Sequence, residues 1–232
     1  MSIERVYQEE IEDQDLLAQH VARYRFAKKF VNNSVVVDFA CGSGYGSSIL
    51  LEGEPRKVIG IDISQSAINY AKSHFHSSLL EYHKGSVVLL SAMRDINIVV
   101  SFETIEHLEN YASFLEAVFR ALSSDGTFIV STPVRLKGTL EDKPKNPYHI
   151  REWNSKEFIE LISGYFKHIE IYHQYIYTKK WYPGSRTIAR WRAEQINPEI
   201  ASKLACYEVM ETVPSLGKIS FTPAYIIAVC KK

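Results

Sequence analysis

The residues with the clearest chemical potential are two glycines and two acids in the first third of the chain. Gly42 and Gly44 stand in VVVDFACGSGYG, after a β-branched run that indicates a buried strand. Glycine there lets the backbone turn tightly and approach a ligand, because no Cβ intervenes. Asp38 precedes Gly42 by four residues and Asp62 follows it by twenty. The pattern therefore predicts a ligand site with two carboxylates.

Two ligands compete for a glycine turn of this kind. The dinucleotide fingerprint needs Gly or Ala where this chain has Ser47, and the charge of Asp38 repels a pyrophosphate. A ligand that carries an ammonium and a sulfonium suits that charge, and Asp62 is placed to accept hydrogen bonds from both of its ribose hydroxyls. The residues thus favour S-adenosylmethionine. A turn that merely joins a strand to a helix is the alternative.

A second group of reactive side chains follows the fourth predicted strand. Glu103, Glu106 and His107 share one face if that segment is helical, and His149 follows later in a long loop. Carboxylate and imidazole ligands together suit a divalent cation such as Mg²⁺, Mn²⁺ or Zn²⁺. Without a metal, His149 or His107 is the natural general base for a hydroxyl acceptor, since imidazole titrates near neutral pH. A group that only shapes the pocket floor is the third interpretation.

Alternating strands and helices must position these residues. Seven strand-like runs separated by helical patterns predict an α/β fold with a doubly wound, mostly parallel, seven-stranded sheet. Ligands of such sheets bind outside the carboxyl ends of the strands, where the strand order reverses. Each residue named above falls at such an end.

Length and composition predict one domain over residues 1–232. Its parts would be a helical segment (1–30), a cofactor-binding core (31–173), a cap inserted before the last strand (174–217) and the final strand (218–232). The 27 basic and 27 acidic side chains give no net attraction for nucleic acid or anionic lipid. No apolar stretch approaches the roughly 18 residues that span a bilayer. Three separated cysteines indicate no disulfide framework, so we expect a cytoplasmic protein without a membrane partner.

The glycine turn and its flanking acids resemble the nucleotide-binding motifs of class I S-adenosylmethionine-dependent methyltransferases. The resemblance covers residues 15–173 and the last strand, and it implies a Rossmann-like methyltransferase fold. It also implies a cofactor site formed by Asp38, Ala40, Gly42, Ser43, Gly44, Asp62, Ile63, Ser86 and Phe102.

One cofactor position departs from the family pattern. Relatives usually end the third strand in Gly-Asp, where the Asp receives the adenine amino group, but this chain has Gly85-Ser86. A serine hydroxyl accepts that hydrogen bond more weakly than a carboxylate does.

The later motifs resemble narrower groups of methyltransferases. RYRFA, FETIEHL, STP and NPYHIREW are similar to small enzymes of bacterial polysaccharide and antibiotic-sugar loci, which implies O-methylation of a sugar, nucleotide-sugar or glycan precursor. E-x-x-E-H followed by H-x-x-E-W is similar to the metal site of small-RNA 3′-terminal 2′-O-methyltransferases, and its first half also to ubiquinone-pathway O-methyltransferases. That resemblance implies four metal ligands: Glu103, Glu106, His107 and His149. A cofactor-binding protein without catalysis is the third hypothesis.

Aromatic and basic side chains interleave in residues 174–217. Three interpretations stay open: a lid that stacks on sugar rings, a clamp for a nucleotide-sugar, a phosphorylated acceptor or an RNA strand, and a homodimer surface. The residues concerned are Tyr175, Tyr177, Trp181, Tyr182 and Trp191 with Lys179, Lys180, Arg186, Arg190 and Arg192.

Overall fold

The computed structural model describes residues 14–135, 144, 146–176, 199, 202–203, 207–211 and 222–232. Runs rich in β-branched and aromatic residues form its strands, since such side chains pack well on a pleated surface. The strands are β1 (Val35–Phe39), β2 (Lys57–Asp62), β3 (Leu80–Lys84), β4 (Ile96–Phe102), β5 (Leu122–Pro133), β6 (His168–Ile176), β7 (Val209–Met210) and β8 (Thr222–Lys231).

Six α-helices lie within the described ranges. They are α1 (Gln14–Ala27), α2 (Tyr45–Leu51), α3 (Gln65–His74), α4 (Val87–Ala92), α5 (Tyr111–Ala121) and α6 (Ser155–Ser163). Ser64 caps α3 by accepting a hydrogen bond from the Ala67 amide. Helix α6 begins with a capping box, in which the side chains of Asn154 and Glu157 each accept from the other residue's backbone amide. No helix in the described parts is both long and apolar enough to cross a membrane.

All eight strands form one sheet in the order β3-β2-β1-β4-β5-β8-β6-β7. Strands β1 to β5 pair in parallel, whereas β8 pairs antiparallel with both β5 and β6. The two-residue β7 adds an edge strand to the seven predicted ones. The order reverses between β1 and β4, so the segments that follow these two strands emerge side by side at one edge.

Helices cover both faces of the sheet. One apolar layer includes Tyr24 and Ala27 of α1 and Leu50 of α2, and the opposite layer includes Phe114 of α5 and Phe158 of α6. The prediction of a doubly wound, mostly parallel α/β fold is therefore confirmed.

The structure corrects the prediction of one helical face after β4. Residues Ile105–His107 form a short 3₁₀ turn, and Glu103 precedes that turn with a φ of +50°. Because Glu103 lies outside any helix, it does not share a face with Glu106 and His107. Helix α4 was not predicted, since its sequence VVLLSA is too short and too uniformly apolar to show a helical period.

The predicted cap falls largely outside the described residues. That applies to its aromatic residues Tyr177, Trp181, Tyr182 and Trp191 and to its basic residues Lys179, Lys180, Arg186, Arg190 and Arg192. Strand β6 continues through Ile176, beyond the predicted start of the cap, and Tyr175 is buried on it.

Candidate active site

The turn after β1 combines a crowded glycine with an open one. Gly42 and Gly44 have φ values of +54° and +88°, which L side chains rarely adopt. A Cβ on Gly44 would lie 2.6 Å from the Ala71 Cβ and 2.7 Å from the Tyr82 hydroxyl, whereas a Cβ on Gly42 would meet no atom within 4 Å. Packing thus requires Gly44, while the space beside Gly42 is open to a ligand.

Asp62 is fixed directly beneath the open glycine. One oxygen of its carboxylate accepts from the Gly42 amide at 3.0 Å and the other accepts from the Ser64 amide at 2.7 Å. Each oxygen has a further lone pair, so the carboxylate remains able to receive two ribose hydroxyls. The next side chain, Ile63, is 63% exposed and offers an apolar surface beside the carboxylate.

Asp38 lies underneath the same turn and is fully buried. Its two oxygens accept from the Tyr24 hydroxyl at 3.0 Å and from the Ser47 hydroxyl at 2.6 Å. Burial raises its pKa to about 6, although both hydroxyls favour the ionised form and oppose the shift. The carboxylate therefore ties α1 and α2 to β1, and it adds negative charge to the pocket at neutral pH.

The other predicted cofactor residues lie at the same edge of the sheet. Ala40 has a φ of +64°, Ser43 is buried inside the turn, and Phe102 ends β4 with its ring 5.0 Å from that of Tyr24. Ser86 caps α4, where its hydroxyl accepts from the Val88 amide at 3.3 Å. The hydroxyl predicted to receive the adenine amino group thus accepts one hydrogen bond within the cap and retains a second lone pair.

Arg23 is a functional candidate that the sequence did not reveal. It lies on α1 with no exposed surface, donates from Nη1 to Gln174 Oε1 at 2.6 Å, and stacks 4.1 Å from the centre of the Tyr225 ring. Its Nε and Nη2 have no hydrogen-bond partner among the described residues. Buried donors without partners are costly, which makes this guanidinium a candidate anion-binding group. The motif RYRFA, which begins with Arg23, shows only a helix, where arginine is ordinarily a surface residue.

Glu106, His107 and His149 come together above the end of β4, with one potential ligand atom from each lying within 4.8 Å of the others. The segment that carries His149 is held in place because the Glu106 carbonyl accepts from the Ile150 and Arg151 amides. The two imidazole rings meet edge to face, with their centres 4.9 Å apart.

Hydrogen bonds orient both imidazole rings. His107 donates from Nδ1 to the Tyr148 carbonyl at 2.9 Å, so Nε2 is the nitrogen that bears the lone pair whenever the ring is neutral. The Nδ1 of His149 donates to Glu152 Oε1 at 2.7 Å, and its Nε2 accepts from the Asn146 amide at 3.0 Å. Both rings are therefore oriented through Nδ1.

Glu106 of this cluster and nearby Glu103 differ in their surroundings. Glu106 is fully buried, accepts from the Thr132 hydroxyl through Oε2, and has no partner for Oε1 within the described residues. Its pKa lies well above the usual range, chiefly through burial and then through nearby Glu103. Glu103 accepts from the Ser131 hydroxyl at 2.7 Å, and burial raises its pKa against the attraction of Arg23. The three-residue cluster does not include Glu103, whose role as a fourth metal ligand stays a prediction.

Comparisons with known proteins identify the family. A family model described as "Methyltransferase domain" matches residues 30–184. A "Probable S-adenosylmethionine-dependent methyltransferase" of Mycolicibacterium smegmatis is 33% identical over 129 residues, which are 55% of this chain and 49% of the relative. A ubiquinone biosynthesis O-methyltransferase of Bradyrhizobium diazoefficiens is 34% identical over 102 residues, 42% of this chain and 39% of the relative. The chain thus matches at most about half the length of these curated relatives.

The fold has solved counterparts as well. A SAM-dependent methyltransferase from Archaeoglobus fulgidus superposes with a TM-score of 0.62, covers 95% of both chains and is 17% identical. At that identity the likeness shows the fold alone.

Proposed function

The chain belongs to the methyltransferase-domain family, and on that premise we propose that it transfers the methyl group of S-adenosylmethionine to a hydroxyl of a sugar, nucleotide-sugar or glycan precursor. The observation that carries the cofactor assignment is the open space beside Gly42 with the Asp62 carboxylate fixed under it. The cytoplasm and polysaccharide biosynthesis are the proposed setting, and residues 1–232 the proposed single domain.

The residues present fit the cofactor in charge and shape. Asp62 would hold the ribose hydroxyls, Ile63 would contact the base, and Asp38 would supply negative charge under the ammonium group. The unpartnered nitrogens of Arg23 would hold the amino-acid carboxylate, which is the anionic end of the same ligand. When bound, S-adenosylmethionine supplies a methyl group already activated by the positive sulfur, so the protein mainly aligns the acceptor and excludes water.

The acceptor hydroxyl must lose its proton, and His107 is placed to take it. Its Nδ1 is committed to the Tyr148 carbonyl, so the lone pair lies on Nε2. The pair formed by His149 and Glu152 packs against that ring and fixes its position. We therefore propose His107 as the general base and His149 as its neighbour on the acceptor side.

A divalent metal is the alternative occupant of the same cluster. The unpartnered Glu106 Oε1 and the two histidines, each oriented through Nδ1 by an outer acceptor, fit the donor set of such an ion. Glu106, His107 and His149 would hold it, and it would lower the pKa of a bound acceptor hydroxyl. His149 would first have to give up its bond to Asn146. Elemental analysis of the purified protein, with titration of Mg²⁺, Mn²⁺ and Zn²⁺, separates the two proposals.

The same cluster favours one second candidate function, methylation of a terminal RNA ribose. Its specific support is the juxtaposition of Glu106, His107 and His149, since that activity is the one whose motif includes both segments. Fluorescence anisotropy with labelled single-stranded RNA tests it, because binding through phosphates must weaken steeply as salt rises. RNA binding with such a slope would favour this candidate over a sugar acceptor.

Calorimetric titration with S-adenosylhomocysteine and S-adenosylmethionine tests the core of the proposal. We expect micromolar to millimolar binding that Gly42→Val abolishes, because its side chain would fill the open space. Val31→Ala, a buried change before the start of β1, whereas the turn follows the end of that strand, serves as a control for altered packing. Binding of NAD in place of the sulfonium compound would overturn the assignment.

A further inference from the structure

A cavity of about 490 Å³ lies on the α5 and α6 side of the sheet, beyond the end of β5. Tyr111 at the start of α5, Arg151 and Trp153 form part of its wall, and Glu157 and Leu161 of α6 form another part. None of these residues belongs to the glycine turn. The volume falls in the range of sites that take small molecules.

The cavity is joined to the histidine cluster through Glu152. This side chain lines the cavity, and its Oε1 accepts from His149 Nδ1 at 2.7 Å. A molecule in the cavity would thus lie next to the residue that orients His149. The cavity is accordingly placed for the part of an acceptor that does not react.

The chemistry of the wall discriminates between classes of acceptor. Five of the ten lining residues that the structure describes carry charge, among them Arg135 and Glu157, whose ion pair measures 2.6 Å. An acyl or prenyl chain would bury these groups without offering them any hydrogen bond, which is unfavourable. A polyhydroxylated ring offers donors and acceptors to the charged groups and apolar C–H faces to the aromatic ones.

Two aromatic rings and a guanidinium form the remaining contacts described in the cavity wall. The Tyr111 and Trp153 rings meet edge to face with their centres 5.6 Å apart, and the Arg151 guanidinium stands 5.5 Å from the Tyr111 ring. The Arg151 side chain also donates to the Tyr111 hydroxyl at 3.3 Å. Tyr111 is partly exposed, so a ligand is able to reach its ring.

These groups are held before any ligand arrives. The Arg135 amide donates to the Trp153 carbonyl at 2.8 Å, and Glu157 is fixed both by Arg135 and by the capping box with Asn154. A preformed polar wall avoids the loss of side-chain freedom that ligand binding otherwise entails.

We propose that this cavity is a sugar subsite, in which Tyr111 contacts a pyranose ring while Arg151 and the Arg135–Glu157 pair bind its hydroxyls. The inference rests on the proposed methyl transfer to a sugar hydroxyl and adds where that acceptor binds. Tyr111 and Arg151 are then specificity-determining residues that touch the acceptor, whereas Glu152 is a positioning residue that acts through His149.

Saturation-transfer NMR on the full chain with S-adenosylhomocysteine present tests the proposal. The probes are UDP-glucose, UDP-N-acetylglucosamine and methyl β-D-glucopyranoside, with UMP to reveal binding through the nucleotide alone. 3,4-Dihydroxybenzoate and decanoate represent aromatic and acyl acceptors. We expect transfer to the sugar protons of at least one probe at millimolar concentration, and an affinity at least fivefold weaker in Tyr111→Leu and in Arg151→Met.

Tyr70→Leu is the matched control, because Tyr70 is a partly exposed tyrosine on α3, which does not line the cavity. It should leave sugar affinity unchanged. Three results would each overturn the inference. They are no transfer to the sugar protons of any probe, equal sugar affinity of Tyr111→Leu and the parent, and binding of only the aromatic or acyl probe. Retained S-adenosylhomocysteine binding in those cases would leave the methyltransferase proposal standing, whereas its loss would remove that proposal as well.

Discussion

The cofactor side and the acceptor side of this molecule are built by opposite means. On the cofactor side, the Asp38 and Asp62 carboxylates each accept two hydrogen bonds, from the glycine turn, from α1 and α2 and from the N-cap of α3. On the acceptor side, Glu106 Oε1 has no partner among the described residues, and it lies beside two histidines whose segments are 42 residues apart in sequence (107 to 149). The fold itself therefore fixes the two carboxylates of the cofactor side, while the acceptor side retains a carboxylate oxygen whose pairing requires a ligand, an ion or a proton.

The largest expected effect concerns the stability of variants at the two glycines of the turn. Gly44→Ala should destabilise the fold by about 3 kcal/mol, because the left-handed conformation costs about 1–2 kcal/mol and the new Cβ would crowd Ala71 and the Tyr82 hydroxyl. Gly42→Ala should cost only about 1–2 kcal/mol, since its Cβ meets no atom within 4 Å. Denaturant unfolding measures both values. Equal destabilisation by the two variants would show that the space beside Gly42 is not open.

Arg23 provides the next test, because it lies between the cofactor side and the acceptor side. Arg23→Met should weaken S-adenosylhomocysteine binding by roughly 2 kcal/mol, about thirtyfold, because a charge-assisted hydrogen bond to its carboxylate is lost. The free energy of unfolding should change little, since the removal of two buried, unpartnered donors offsets the loss of the hydrogen bond to Gln174. Calorimetry and thermal unfolding are the measurements, with Arg25→Met, an exposed neighbour on α1, as control. A large loss of stability with unchanged affinity would make Arg23 a structural residue.

The residues that could be predicted from the sequence lie mainly on the cofactor side. The glycine turn, Asp62 and the buried strands were predictable because each depends on residues adjacent in sequence and on a local rule for backbone conformation. Arg23 was missed because its burial depends on β6 and β8, which are about 150 and 200 residues away. Glu103 was misplaced because a positive φ at a glutamate is not visible in the sequence. The cavity beside Trp153 was likewise invisible, since α5, α6 and the segment after β5 form it jointly.

The pH dependence of cofactor affinity is expected to be a smaller effect than that of Arg23→Met. Burial raises the pKa of Asp38 to about 6, so its negative charge is complete only above that pH. S-adenosylhomocysteine affinity should therefore fall about tenfold between pH 7 and pH 5, and Asp38→Asn should remove that slope. For folding the sign is reversed: the raised pKa means that stability falls as pH rises from about 4 to 6, so Asp38→Asn should unfold at a higher temperature than the parent at pH 7.5. A pH-independent affinity in the parent would show that Asp38 does not face the ammonium group.

The smallest expected effect concerns Glu152, which joins the histidine cluster to the cavity. Glu152→Gln keeps an oxygen that accepts from His149 Nδ1, so the ring orientation should survive while the negative charge is lost. We expect kcat to fall about threefold to tenfold with little change in stability or cofactor affinity, and Glu152→Ala to fall further because nothing then orients the ring. Glu109→Gln, an exposed acid just before α5, is the matched control. If Glu152 merely stabilised the loop, both Glu152→Gln and Glu152→Ala would lower the unfolding temperature of the protein. A graded loss of kcat at constant unfolding temperature therefore assigns Glu152 to positioning. Equal activity of all three variants would separate the cavity from the chemistry and leave the acceptor side without its proposed connection.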